Sequence, residues 1–462
     1  MKSKTILLIL ILSVVFFSCK KDKLPVEKME ETEVIEEQGR SWHHVHDKQA
    51  KNFSSEVPVK WLNLQLQITK VPPGVAGVSA QRLLAYCGIA LYESVVAGMP
   101  SYQSLAGQLN GMPTMPKTQK GKSYHWAVSA NAALAFLNRN IMAAAPAASH
   151  VSMDSLENAL NNIFKTQTNI ATFQRSVEFG KAIGNLIFEW SKSDGSLTIN
   201  PPYVPPGSIA GATPGLWVST PPNFPAPVNP YGGSIRLLVR GSQQWSEPSP
   251  PPPYSISPSS AYYKMVKDVY DVSQNLTPEQ IAIALYYRDA PGYPGGGHFI
   301  SILSQVLIKA RSSLDVAAIA YAKLGIALQD AITACLKTKY TLNLERPVQS
   351  VRRILGHTEW LPLFNTPGHP EFPSAHSNQA GAAEIVLANM FGRRFEFTNH
   401  TYDYLGFAPR HYRSFAEMSA EIGISRLYGG IHYRASNDKG LMQGRIVASN
   451  ILRKLRFQNG HH

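Results

Sequence analysis

Cysteine is nearly absent: the chain has three in 462 residues, Cys19, Cys87 and Cys335. That excludes a disulfide framework and any zinc site built on paired Cys-x-x-Cys spacing. Cys87 ("LLAYCGIALYES") and Cys335 ("LQDAITACLKTK") each sit in an apolar stretch with helical spacing, so they read as buried free thiols. Charge is also scarce. Asp, Glu, Lys and Arg make up 16% of the chain, against roughly 25% in an average globular protein. The net charge is +13, but no basic tract with interleaved aromatics goes with it, and there is no nucleic-acid fold signature. No nucleic acid is therefore expected as a partner. Alternating strand patterns are few and no repeat of fixed length recurs. Past Cys19 there is no run of about 18 apolar residues, the length a further membrane-spanning helix needs.

What is present begins with "MKSKTILLILILSVVFFSC": a basic start, an apolar run from Ile6 to Phe17, then Ser18-Cys19. This is an export signal rather than part of the fold. A small residue directly before cysteine resembles a bacterial lipoprotein processing site. Residues 1–18 are then the signal peptide and Cys19 the lipidated N-terminus. The expected location is exported and lipid-anchored to a bacterial membrane, periplasmic or at the cell surface. Residues 19–58, charged and poor in apolar groups at their start, read as a disordered tether.

Residues 59–194 show apolar positions at three- and four-residue spacing and read as a helical region. Residues 195–258 are too proline-rich for regular elements. Trp217, Phe224, Tyr231 and Trp245 within them predict an ordered loop packed against the rest. Residues 259–458 are helical again. Thr277-Pro278 marks one helix start. Further helices are expected near 374–391, 415–428 and 437–456, the last capped by Ser436 or Asn437. The fold class is mainly α, helical bundles joined by long loops.

Three clusters lie in the C-terminal third. Lys339 precedes Arg346-Pro347 by nearly two helical turns, so the two cations would share a face if the helix persists. "PSAH", Pro373 to His376, stands at the start of a helix, where unpaired N–H groups favour an anion. "SRLYGGIH" places Arg426 before His432. Any one of these is ordinary; their order and spacing are not.

Lys-x6-Arg-Pro, then Pro-Ser-Gly-His, then Ser-Arg-x5-His resembles the signature of the type 2 phosphatidic acid phosphatase superfamily. That superfamily includes bacterial acid phosphatases and vanadium-dependent haloperoxidases. "YYRDAPGYPGGGHFISI", "PGLWVSTPPNF", "HPEFPSAHS" and "SRLYGGIHYRASND" look like the bacterial haloperoxidase branch. The resemblance implies vanadate as cofactor, or phosphate in the same site of a phosphatase. It implies an oxyanion cradle of Lys339, Arg346, Ser374, Ala375, Arg426 and His432. His432 would be the axial vanadate ligand or the phosphorylated nucleophile, and His376 the general acid–base. Asp289 would orient the arginines. His369 stands where bromoperoxidase-type members often carry histidine, so bromide is expected rather than chloride, with hydrogen peroxide as oxidant. Three positions depart from the pattern. Ala375 replaces the usual glycine, and Ser436 stands where many members have aspartate, with Asp438 two further on. Leu336 sits where characterised members usually carry a larger residue such as Trp. Two other readings stand beside this one: an acid phosphatase acting on a phosphate ester through phosphohistidine, and a non-catalytic surface lipoprotein binding glycans or other nutrients. The second of these leaves the three clusters unexplained.

Overall fold

Five of the described α-helices start on a short polar side chain that caps them. Asn169, Ser260 and Ser414 each accept a hydrogen bond from an N–H in the first turn of the helix that follows. Thr277 closes a full capping box with Gln280, and Pro278 follows it. The computed structural model describes residues 49–70, 78–289, 291–293 and 295–460. The export signal, Cys19 and most of the expected tether lie outside the described residues.

Five helices come first: α1 (Glu56–Thr69), α2 (Val78–Val95), α3 (Trp126–Ile141), α4 (Ala147–Lys165) and α5 (Ile170–Ser191). Eight follow the proline-rich segment: α6 (Ala261–Gln274), α7 (Pro278–Tyr286), α8 (Gly297–Lys309), α9 (Leu314–Leu342), α10 (Pro347–Ile354), α11 (Ala375–Phe391), α12 (Phe415–Tyr428) and α13 (Arg434–Lys454). The strands β1 (Phe397–Asn399) and β2 (Arg410–Tyr412) pair antiparallel, Phe397 opposite Tyr412. The mainly α expectation holds.

The central element is α9. It is long and apolar enough to cross a membrane, yet its most apolar window is 94% buried inside the protein. It packs against α2 so closely that a Cβ on Gly88 would lie 2.5 Å from Tyr321 O. α11 packs against α13 in the same manner. A Cβ on Gly381 would meet Leu441 O at 2.2 Å, and one on Gly444 would meet Asn378 O at 1.7 Å. The run of small residues after His376 exists for this approach of two backbones.

Four expectations need correction. The tether does not reach residue 58. Ala50 is buried, Ser54 bridges Ser313, and α1 starts at Glu56, because Val57, Val59 and Trp61 have core to fill. The helix carrying Lys339 does not persist to Arg346. It stops at Leu342, where Asn343 takes a left-handed conformation (φ 48°), and Arg346 precedes a new helix, α10. α13 begins at Arg434, so Ser436 lies inside its first turn and is not the cap. In the proline-rich segment Trp217 is fully buried, but Phe224 and Trp245 are 64% and 84% exposed. The segment is held through its backbone. Trp217 N–H donates to Asn343 O (2.8 Å), Glu345 N–H to Gly215 O (2.9 Å) and Val228 N–H to Gly368 O (2.7 Å).

Candidate active site

Three cations converge although their carriers are far apart in the sequence. Lys339, in the last turn of α9, is fully buried and donates from Nζ to the carbonyls of Pro370 and Glu371, each at 2.9 Å. Arg346, also fully buried, donates from Nε to His369 O (2.8 Å) and from Nη1 to Ile431 O (2.9 Å) and His432 Nε2 (3.2 Å). Its Nη2 donates to His369 Nδ1 at 3.0 Å. Arg426, on α12, donates from Nη1 to Tyr287 O and lies over the Phe364 ring, while its buried Nε has no protein partner.

Ser374 caps α11, accepting from Ser377 N–H at 3.4 Å and from Ser377 Oγ at 3.0 Å. Its own N–H goes to Ser436 O at 3.1 Å. Ala375, His376, His432, His369, Asp289 and Arg426 wall a cavity of about 150 Å³. Lys339, Arg346 and Ser374 are fully buried, without exposed surface of their own.

His432 is oriented by a residue the sequence reading passed over. Its Nδ1 donates to Glu371 Oε1 at 2.9 Å, and Tyr433 N–H donates to the same oxygen at 2.9 Å. Ser436 Oγ donates to Glu371 Oε2 at 2.5 Å. Glu371 thus does the work of the aspartate missing at Ser436, and Ser436 serves Glu371 instead. The one available signal was a lone carboxylate inside "HPEFPSAHS". Asp289 Oδ1 lies 3.0 Å from His376 Nε2, at ion-pair distance without hydrogen-bond geometry, and its charge acts on Arg426 with no hydrogen bond between them. It takes a left-handed conformation (φ 71°), so turn and contact are one feature.

The electrostatics are those of a site built for an anion. Burial lowers Arg346 and Arg426 to about 10, so both stay charged at neutral pH. Burial also lowers Lys339, with Arg346 adding to the effect and Glu371 opposing it. Burial, then the cations, hold His432 well below its ordinary value. His376 is lowered by burial and then Arg426, while Asp289 pulls it back up. Burial pushes Glu371 up as it pushes Lys339 down, so this pair adds no net charge whichever of the two holds the proton. With neutral histidines, Arg346 and Arg426 then face Asp289, one positive charge in excess. An excess positive charge in low dielectric calls for an anionic partner.

Fold and site together define a helical-bundle protein with a cationic pocket suited to a tetrahedral oxyanion. The profile of the VCPO second helical-bundle domain matches residues 320–460. A bacterial vanadium-dependent iodoperoxidase superposes with a TM-score of 0.80 at 31% identity, covering 88% of this chain and 98% of that one. A bacterial vanadium-dependent chloroperoxidase in its apo form gives 0.64 at 15% identity, covering 88% of this chain and 99% of its own. The holo form gives 0.61 at 15%, covering 84% and 96%. No curated protein matches. The chain belongs to the vanadium haloperoxidase family.

Proposed function

We propose that the protein is a vanadate-dependent haloperoxidase that oxidises halide with hydrogen peroxide, bromide in preference to chloride. The observation that carries this is His432. His432 Nδ1 donates to Glu371 at 2.9 Å, so Nε2 carries the lone pair, which faces Arg346 Nη1 at 3.2 Å with Lys339 and Arg426 nearby. A neutral imidazole fixed in one tautomer amid cations is an oxyanion ligand.

Vanadate, when bound, supplies an electrophilic centre that activates peroxide toward halide. Lys339, Arg346, Arg426, Ser374 and the Ala375 N–H would hold its oxygens, and His432 Nε2 would ligate it. An anion oxygen competes with His432 for the Arg346 N–H. His376, paired with Asp289 and lining the cavity, is the group placed to take a proton from incoming peroxide and return it to a leaving oxygen. His369, held by Arg346, supports the preference for bromide.

The same donors suit a phosphate ester, so the test measures both activities. With orthovanadate, peroxide and bromide the protein should brominate a dye, and His432→Ala should abolish this. Ester hydrolysis inhibited by vanadate, with no bromination, would make it a phosphatase instead. We also infer from the Ser18-Cys19 motif that the chain is exported and anchored through lipid on Cys19. Loss of membrane association in Cys19→Ala, with activity retained, is the expected result.

A further inference from the structure

Two buried carboxamides enter the cavity and do nothing in the scheme above. Gln379 lies one turn beyond His376 on α11 and is 5% exposed; its Nε2 is buried with no protein partner. Gln81 comes from α2, in the N-terminal half of the chain, and is 2% exposed; its Oε1 is likewise unpartnered. Both line the cavity together with the apolar side chains of Ile332 and Leu336. A buried amide hydrogen without an acceptor is costly and therefore informative.

The cavity of about 150 Å³ has room for a small anion beside the oxyanion, and a single-atom anion is the smallest group such a donor could hold.

We propose that Gln379 Nε2, against the apolar wall of Ile332 and Leu336, forms a halide subsite, with the Gln81 carboxamide as its second donor. This rests on the haloperoxidase reading. A carboxamide exchanges its oxygen and NH2 by rotating half a turn about its last torsion, so both Gln379 and Gln81 can present an NH2 to the cavity. Neutral donors beside hydrocarbon favour a weakly hydrated anion, because little hydration is lost on entry. Bromide and iodide meet that description better than chloride. Arg426 lines the same cavity, so a halide held by the carboxamides shares the pocket with the oxyanion without taking its ligands.

The test uses Gln379→Leu and Gln379→Glu in the full chain. Gln379→Leu should raise KM for bromide about tenfold, the loss of one charge-assisted hydrogen bond. KM for peroxide and orthovanadate affinity by equilibrium dialysis should stay within about twofold, because neither group is touched. Gln379→Glu should raise KM for bromide further by like-charge repulsion. A rise in peroxide KM instead, or an unchanged bromide KM in both variants, overturns the proposal. Crystals soaked in iodide decide it independently of turnover. An anomalous peak within contact of Gln379 Nε2 in wild type, absent in Gln379→Leu, supports the subsite, and no peak there overturns it. Failure of orthovanadate to bind wild type would defeat the haloperoxidase reading, a result separate from either arm.

Discussion

At the residue scale, the site depends on a carboxylate reached across the fold. Glu371 lies 61 residues before His432, yet holds its Nδ1 and the Tyr433 N–H with one oxygen. Glu371→Gln keeps the shape and removes the charge. It should weaken orthovanadate binding about 10–100-fold, the usual cost of losing such an orienting partner. Ser436→Asp alone sets a second carboxylate against the first and should also weaken binding, through repulsion in a buried site. The double variant Glu371→Gln/Ser436→Asp returns one carboxylate to the cluster and should recover most of the lost affinity. Equilibrium dialysis measures all three, and simple addition of the two losses in the double variant would contradict the exchange of roles. Here the limits of sequence reading are concrete. Lys339, Arg346, His376 and His432 were legible because motif spacing is local. The partner of His432 was not, because nothing near Ser436 in the chain announces Glu371.

At the element scale, the contact between α11 and α13 sets one wall of the candidate site. Gly381 and Gly444 bring α11 and α13 together, which sets the position of Ser374, Ala375 and His376 at the mouth of α11. Gly444→Ala drives a methyl into the Asn378 carbonyl, a backbone atom that cannot swing aside. The expected cost is about 3 kcal/mol, at the upper end for overpacking, because backbone must move. The unfolding free energy from denaturant titration should fall by about that amount, and orthovanadate affinity should fall with it as α11 shifts. An unchanged affinity in the folded variant would show that α11 does not set the cradle. Helix limits were well legible where caps are side chains, as at Thr277 and Ser374. They were misplaced at Ser436, because a serine suited to capping is bonded instead to a carboxylate distant in sequence. After Lys339 the run "CLKTKYTL" ends the helix at Leu342, as read from the sequence, and Asn343 closes α9 by turning left-handed.

At the scale of the whole molecule, the cavity draws on the N-terminal helices, the proline-rich strap and the C-terminal bundle through Gln81, Val228 and His432. The buried histidines tie global stability to pH. His298 is 5% exposed among aromatic rings, and burial pushes it down to about 3. Its folded value lies below its unfolded one, so its contribution is complete above about pH 6.5 and is lost as pH falls toward the folded value. Between pH 7 and 5 it alone should remove about 2 kcal/mol of stability. The thermal midpoint should therefore drop on acidification, and less so in His298→Asn. Equal drops in both proteins would assign the acid sensitivity elsewhere.

The central claim is that His432, fixed by Glu371 amid Lys339, Arg346 and Arg426, is the ligand for vanadate. Equilibrium dialysis of orthovanadate against wild type and His432→Ala tests it most directly, with phosphate as competitor. The account predicts saturable binding in wild type, displaced by phosphate, and its loss in the variant while the helical circular-dichroism spectrum is unchanged. Equal binding by the two proteins, or none by either, would contradict it.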